Sequence, residues 1–204
     1  MYIKKKHSFH TYKKMIYGFF MKYVNSLRYG YWGNKSIIYK PFKVTEKKHI
    51  YIGNSVFFDQ GLRMEAITHK GTYEYCPKIY IGDFTHVEQR CQIFCANSVK
   101  IGKHVVISSD VFITDVEHEY RSIETGILEQ GFKVGSTRIG DYAFLGAGVK
   151  IIKGVTIGKH TVIGANSVVT KDIPAYCVAV GVPARIIKKY NPLIQKWENI
   201  SEQL

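Results

Sequence analysis

Residues 139–168 read IGDYAF LGAGVK IIKGVT IGKHTV IGANSV, five consecutive sixes. Each opens on an aliphatic residue: Ile139, Leu145, Ile151, Ile157 and Ile163, with Val169 next in line. Six residues hold one short strand and one turn. Three such units close a triangular coil, and coils stack at the roughly 4.8 Å spacing of hydrogen-bonded strands. The first residue of each unit points inward and rests on its equivalents above and below. Small or polar residues follow at the corners, where glycine tolerates backbone that other residues avoid. The stretch therefore predicts a parallel β-helix, an all-β fold built from an internal repeat.

Upstream the count continues through Ile81, Val87, Ile93, Ile101, Ile107 and Ile113. Twelve aliphatics in register do not suit a β-sandwich, whose turns recur about every 8–12 residues. Two departures break the rhythm. From Ile81 to Ile101 there are two extra residues, near 96–99. From Ile101 to Ile139 there are twenty, assigned to a protruding loop at 119–138 that begins within FITDVEHEY, residues 112–120, immediately after His118. Residues 64–80 also leave the sixes and predict a second excursion. The coil is expected over 37–187. A basic aromatic segment, 1–36, precedes it, with a helix over 8–28. A tail, 188–204, follows, with a short helix past Pro192.

With 204 residues and 46% hydrophobic content, the chain suits one domain with a sizeable core. No apolar run reaches the roughly 18 residues of a membrane span. The best, MIYGFFMKYV at 15–24, is short and carries Lys22, and no small-residue cleavage site follows it. A cytoplasmic protein is expected. Cys76, Cys91, Cys95 and Cys177 show no metal-ligand spacing and read as reduced thiols. The net charge of +13 is uneven: residues 1–50 hold 12 Lys/Arg and one acid, Glu46. Basic residues mixed with aromatics suit an interfacial helix on an anionic membrane, packing against the rest of the assembly, or nucleic acid. No nucleic-acid motif accompanies them, so nucleic acid is not the expected partner.

VTIGKHTVIGANSVVTKDIPAYCVAVGVPARIIKKY, residues 155–190, resembles the C-terminal signature of the hexapeptide-repeat acetyltransferases. The likeness is to the maltose/galactoside acetyltransferase branch and the O-acetyltransferases of lipopolysaccharide and capsule biosynthesis. Asp115-x-x-His118, followed by a loop and IGDYAFLGAG, matches their active-site region. The resemblance covers roughly 38–200. It implies left-handed winding, against the usual right-handed crossover. It also implies a homotrimer, acetyl-CoA as co-substrate, no metal, and a sugar or polysaccharide acceptor.

On this resemblance His118 is the expected general base. A sugar hydroxyl is a poor nucleophile at neutral pH, and an imidazole can take its proton and return it to the departing thiolate. His104 and His160 recur at one repeat position and read as structural, and His86 sits in an equivalent corner region. Asp115 either orients the imidazole or holds the adjoining turn. The loop is expected to cover an acceptor pocket, with Tyr120 and Gln130 as contacts. Glu88 stands where relatives carry a polar acceptor-binding residue; it either binds a sugar hydroxyl or pairs with Arg90. For acetyl-CoA the resemblance implies Gly146, Gly164 and Ala165 along the pantetheine arm. It implies Thr170, Lys171 and Arg185 near the nucleotide end, where cations favour phosphates. Phe144 stands where many relatives carry Trp near the thioester or acceptor, which removes an indole N–H donor.

Other readings differ in chemistry. N-acetylation of an amino sugar uses the same fold, donor and base. A γ-type carbonic anhydrase needs three histidines about zinc, two of them five apart, and Ile113 and Ile123 flank His118 at that distance. Serine acetyltransferase needs a larger helical N-terminal domain than this chain has. A β-helix scaffold without catalysis is the non-enzymatic alternative.

Overall fold

The computed structural model describes residues 22–200. The expected N-terminal helix lies mostly outside them. Its last part, 22–28, is helical, with Asn25 and Tyr29 buried.

From Tyr31–Trp32 onward the chain winds through three parallel sheets in strict rotation. The first face stacks Tyr31–Trp32, Ile50–Ile52, Lys78–Ile81, Ser98–Ile101, Ser136–Ile139 and Thr156–Ile157. The second stacks Ile37–Ile38, Phe57–Phe58, His86–Val87, Val106–Ile107, Phe144–Leu145, Val162–Ile163 and Cys177–Gly181. The third stacks Lys43–Thr45, Arg63–Ala66, Gln92–Cys95, Phe112–Thr114, Lys150–Ile151 and Val168–Val169.

The twelve aliphatics of the repeat form three ladders. Ile81, Ile101, Ile139 and Ile157 are register partners on the first face. Val87, Ile107, Leu145 and Ile163 are partners on the second. Ile93, Ile113, Ile151 and Val169 are partners on the third. None is more than 3% exposed. Burial of each such side chain contributes about 1.5–3 kcal/mol. Ile52, Phe58 and Met64 extend the ladders below Ile81, Val87 and Ile93, and Trp32, paired with Ile52, lies before the predicted start, so coiling begins before residue 37.

At the turn from first to second face, the backbone is left-handed at Phe84, His104, Tyr142, His160 and Tyr176, with φ from 53° to 60°. Their rings stack outside the coil at 4.6–5.4 Å, placing His104 and His160 between aromatic neighbours. Both histidines are thus structural, as expected from their shared position.

The tail does not form the expected helix. Ala184–Asn191 pairs antiparallel with Cys177–Gly181, and Lys196–Asn199 pairs with it in turn. An open last strand presents unpaired N–H and C=O groups. The hairpin covers that edge, with Tyr190 and Trp197 in contact at 5.4 Å.

Burial governs the cysteines. It pushes the Cys91 thiol up to about 11, and raises Cys95, where the Asp115 carboxylate adds to the effect. Burial raises Cys177 as well, while Cys76 is exposed. Thiolate is the reactive form. A folded sample titrated with Ellman's reagent at pH 8 should therefore react at Cys76 alone, and at all four thiols after denaturation.

Candidate active site

Every departure from the six-residue rhythm leaves by one edge, where the third face turns into the first. Residues 67–77 separate Arg63–Ala66 from Lys78–Ile81, and 96–97 separate Gln92–Cys95 from Ser98–Ile101. Residues 115–135 separate Phe112–Thr114 from Ser136–Ile139. The first excursion is a hairpin, His69–Lys70 with Tyr73–Glu74. The last is a loop on a two-stranded stem, Val116–His118 with Phe132–Val134. The stem thus takes up part of the predicted 119–138 loop, and residues 136–139 already belong to the first face.

Asp115 opens the stem and is fully buried. Its carboxylate accepts the backbone N–H groups of Ala96, Asn97 and Ser98 at 2.8, 2.8 and 2.5 Å. The Cys95 thiol lies 3.2 Å from Oδ2. Asp115 therefore holds the adjoining turn of the coil below. It does not orient His118.

His118 ends the stem strand and is exposed. Its ring meets Phe132 edge-on at 5.0 Å. Lys70, 48 residues earlier, brings Nζ to 3.3 Å from Nδ1. The same ammonium donates to the carbonyls of Ile127, at 3.0 Å, and Gln130, and sits 4.5 Å from the Phe132 ring centre. An ammonium only donates, so Nδ1 bears the lone pair and the neutral ring's proton is assigned to Nε2. Tyr75 adds a second tie, its hydroxyl accepting the Phe132 N–H at 2.7 Å. A Cβ at Gly131 would stand 3.0 Å from Tyr73 Cδ1, so glycine lets hairpin and loop close together. Lys70 had no signal in the repeat, because the contact depends on two excursions leaving the same edge.

Lys70→Met should free one side of the loop. Trypsin cleavage after Arg121 is expected to quicken roughly tenfold, given about 0.5–1.5 kcal/mol per hydrogen bond lost, with the far-UV spectrum unchanged.

Gln130 is buried and braces the loop from inside. Its amide donates to the carbonyls of Ser122 and Thr125, and its oxygen accepts the Ser122 N–H. Its side chain is engaged within the loop, and the residue also lines the cleft between loop and hairpin. Tyr120 is exposed beneath Lys133.

The other expected residues stand elsewhere. Glu88, Ser108, Gly146 and Gly164 form one column at the second-to-third edge, each N–H bonded to the coil above. Glu88 pairs with His86, at 2.9 Å, and not with Arg90, which grips Asp110 with two nitrogens. Gly146 and Gly164 have a reason inside the chain. A Cβ would come within 2.6 Å of Ala165 N from the first and 2.7 Å of Val180 Cγ1 from the second. Ala165 is exposed beside them, and Arg185 lies opposite Val180 on the same edge. Phe144 faces outward on the second face, between Val106 and Val162. Thr170 and Lys171 are exposed on the third-to-first edge, above His118. A single chain thus keeps His118 and the Glu88–Gly164 column on different edges.

A coil of sixes with an exposed histidine at the root of its longest loop is the architecture of a transferase class. The family profile "Bacterial transferase hexapeptide (six repeats)" matches residues 136–171. WbbJ of Escherichia coli K12, provisionally named a lipopolysaccharide biosynthesis O-acetyl transferase, is 31% identical over 184 residues, covering 82% of this chain and 86% of that one. The galactoside O-acetyltransferase of the same organism is 37% identical over 123 residues, 58% of each chain. Among solved structures, the N-acyltransferase AntD of Bacillus cereus superposes with a TM-score of 0.68 at 19% identity, over 85% of this chain and 90% of that one. The chain belongs to the hexapeptide-repeat acetyltransferases. It is an acyltransferase with a left-handed parallel β-helix fold.

Proposed function

We propose that the chain transfers acetyl from acetyl-CoA to a hydroxyl of a bacterial surface polysaccharide or its precursor, with His118 as general base. The observation that carries this reading is the exposed imidazole of His118 at the root of the 115–135 excursion, in a chain similar to WbbJ over most of its length. Acetyl-CoA brings an activated thioester, so no acyl-enzyme is needed. The acceptor hydroxyl attacks the thioester carbonyl while its proton passes to the imidazole. The C–S bond breaks, and the thiolate leaves and takes that proton. The free lone pair lies at Nδ1, so the acceptor hydroxyl takes over from Lys70 as its donor before the proton moves.

The residues fit the donor. Small residues at Gly164 and Ala165 leave backbone accessible to a slender arm, and Arg185 supplies a cation on the same edge. Thr170 and Lys171 stand on the other edge, beside the excursion. A homotrimer that sets one chain's second-to-third edge against the next chain's loop edge unites both sets with His118. Sedimentation at micromolar protein should give a trimer; a monomer with full activity overturns this arrangement.

The AntD likeness concerns the fold and gives an amino acceptor no weight. The test is thiol release from acetyl-CoA with matched hydroxyl and amino glycans, and mass spectrometry of the product. Ester products support the reading. Amide products alone establish N-acetylation, and no release with any acceptor overturns both.

Peripheral contact with the inner face of the membrane belongs to this proposal, through the basic segment that precedes the coil. Among the described residues no helix is long and apolar enough to cross a membrane. Deleting residues 1–25 should weaken binding to anionic vesicles and leave transfer to soluble glycans intact. Unchanged vesicle binding removes the membrane role.

A further inference from the structure

Between the hairpin 67–77 and the loop lies a cleft of about 540 Å³, within the roughly 300–1,000 Å³ typical of ligand sites. His118 does not line it. Phe132 does, and the same ring meets His118 edge-on, so the cleft adjoins the imidazole with one side chain between. Tyr73 and Tyr75 give it two more aromatic walls.

Its charged lining is mainly acidic: Glu74, Glu119 and Glu129 face Arg121. Lys133 Nζ lies 3.4 Å and Arg121 Nε 3.7 Å from Glu119 Oε1, and His69 Nε2 lies 3.8 Å from Glu74 Oε1, so Glu129 and the second oxygens of Glu74 and Glu119 carry the acidity. Two of these carboxylates are half engaged. Glu119 accepts the N–H groups of Tyr120 and Arg121 at Oε1, and Glu129 accepts that of Gly126 at Oε2. Each keeps its other oxygen for a donor from outside, and Glu74 is 84% exposed.

We propose that this cleft is a second carbohydrate subsite, for a neutral sugar unit adjoining the one acetylated, so that the enzyme prefers an oligosaccharide to a monosaccharide acceptor. The inference rests on the acceptor being a sugar. Ring faces take the C–H faces of a pyranose, and carboxylate oxygens accept its hydroxyl protons. Like charge costs any phosphate or uronate that enters. The cleft thus disfavours both coenzyme A and a nucleotide-linked sugar, and favours a growing or finished neutral chain.

The test is calorimetric binding to the full-length protein. The probes are maltotetraose, cellotetraose, galactotetraose and mannotetraose, each against its monosaccharide, with tetragalacturonate as the anionic arm. At least one neutral tetrasaccharide should bind tenfold or more tightly than its monosaccharide. Tyr73→Ala and Glu74→Gln, both at exposed positions, should each remove most of that gain at an unchanged melting temperature. No gain for any tetrasaccharide, a gain that survives both substitutions, or equal binding of tetragalacturonate overturns the subsite. Binding is read without acetyl transfer. A gain in a protein that releases no thiol leaves the subsite standing and sinks the reaction assigned above.

Discussion

His118→Ala should lower thiol release from acetyl-CoA by about two to four orders of magnitude, the usual worth of general base help, and leave the melting temperature unchanged. The two halves of this expectation have separate grounds. The imidazole is exposed on a stem outside the coil, where among the described residues Lys70 and the Phe132 edge are its hydrogen-bond and ring partners. Losing these contacts removes nothing from the ladders of buried aliphatics. On the proposed reaction the chemical loss is large, because a hydroxyl attacks poorly until a base takes its proton. Binding of coenzyme A should persist, since Gly164, Ala165 and Arg185, proposed to hold it, lie on another edge of the chain. Wild-type turnover in this variant would end the assignment of the base.

Asp115→Ala, three residues away, should do the reverse. Three backbone N–H groups and a thiol converge on this carboxylate, and it is wholly buried. Removing it leaves those donors without that acceptor, the Ala96 N–H and the Cys95 thiol in buried surroundings and the Asn97 and Ser98 N–H groups nearer to water. Breaking such a buried charged network costs about 3–5 kcal/mol. For a chain of this size that lowers the melting temperature by on the order of 10 °C. Activity should fall with the fold, because the turn it holds supports the root of the stem that carries His118. Asp115→Asn keeps one accepting oxygen and should lose less. If Asp115 oriented the imidazole instead, the Asn variant would melt like the wild type and turn over far more slowly. Calorimetry beside a rate measurement separates the two.

The coil was legible because one residue in six must fill the prism interior, and nothing but an aliphatic does so at Ile101, Ile107 or Leu145. Its expected start at 37 misses only the Tyr31–Trp32 strand, because the first turns step by 20 and 29 residues and blur a count of sixes there. The tail misled because the stretch after Pro192 carries no strong alternation. Its strand pairing comes from the exposed last strand beneath it, which is a tertiary demand. At the site, the exposed histidine and its loop were readable from the interruption. The turn-holding of Asp115 was one of two alternatives the sequence left open, and the partners of Gln130 and Glu88 were not readable. Each depends on which group lies one coil away or across a loop, and that distance exists only once the prism is wound. Lys70 is the extreme case, reaching its histidine across 48 residues.

All insertions emerge along a single spine of the prism, and the remaining two spines are smooth. The smooth spines must remain unaltered, because glycines and aliphatics there are locked by neighbouring coils. The shaggy spine is under no such obligation. Selection can rewrite residues 67–77 and 119–131 without disturbing the ladders that hold the coil together.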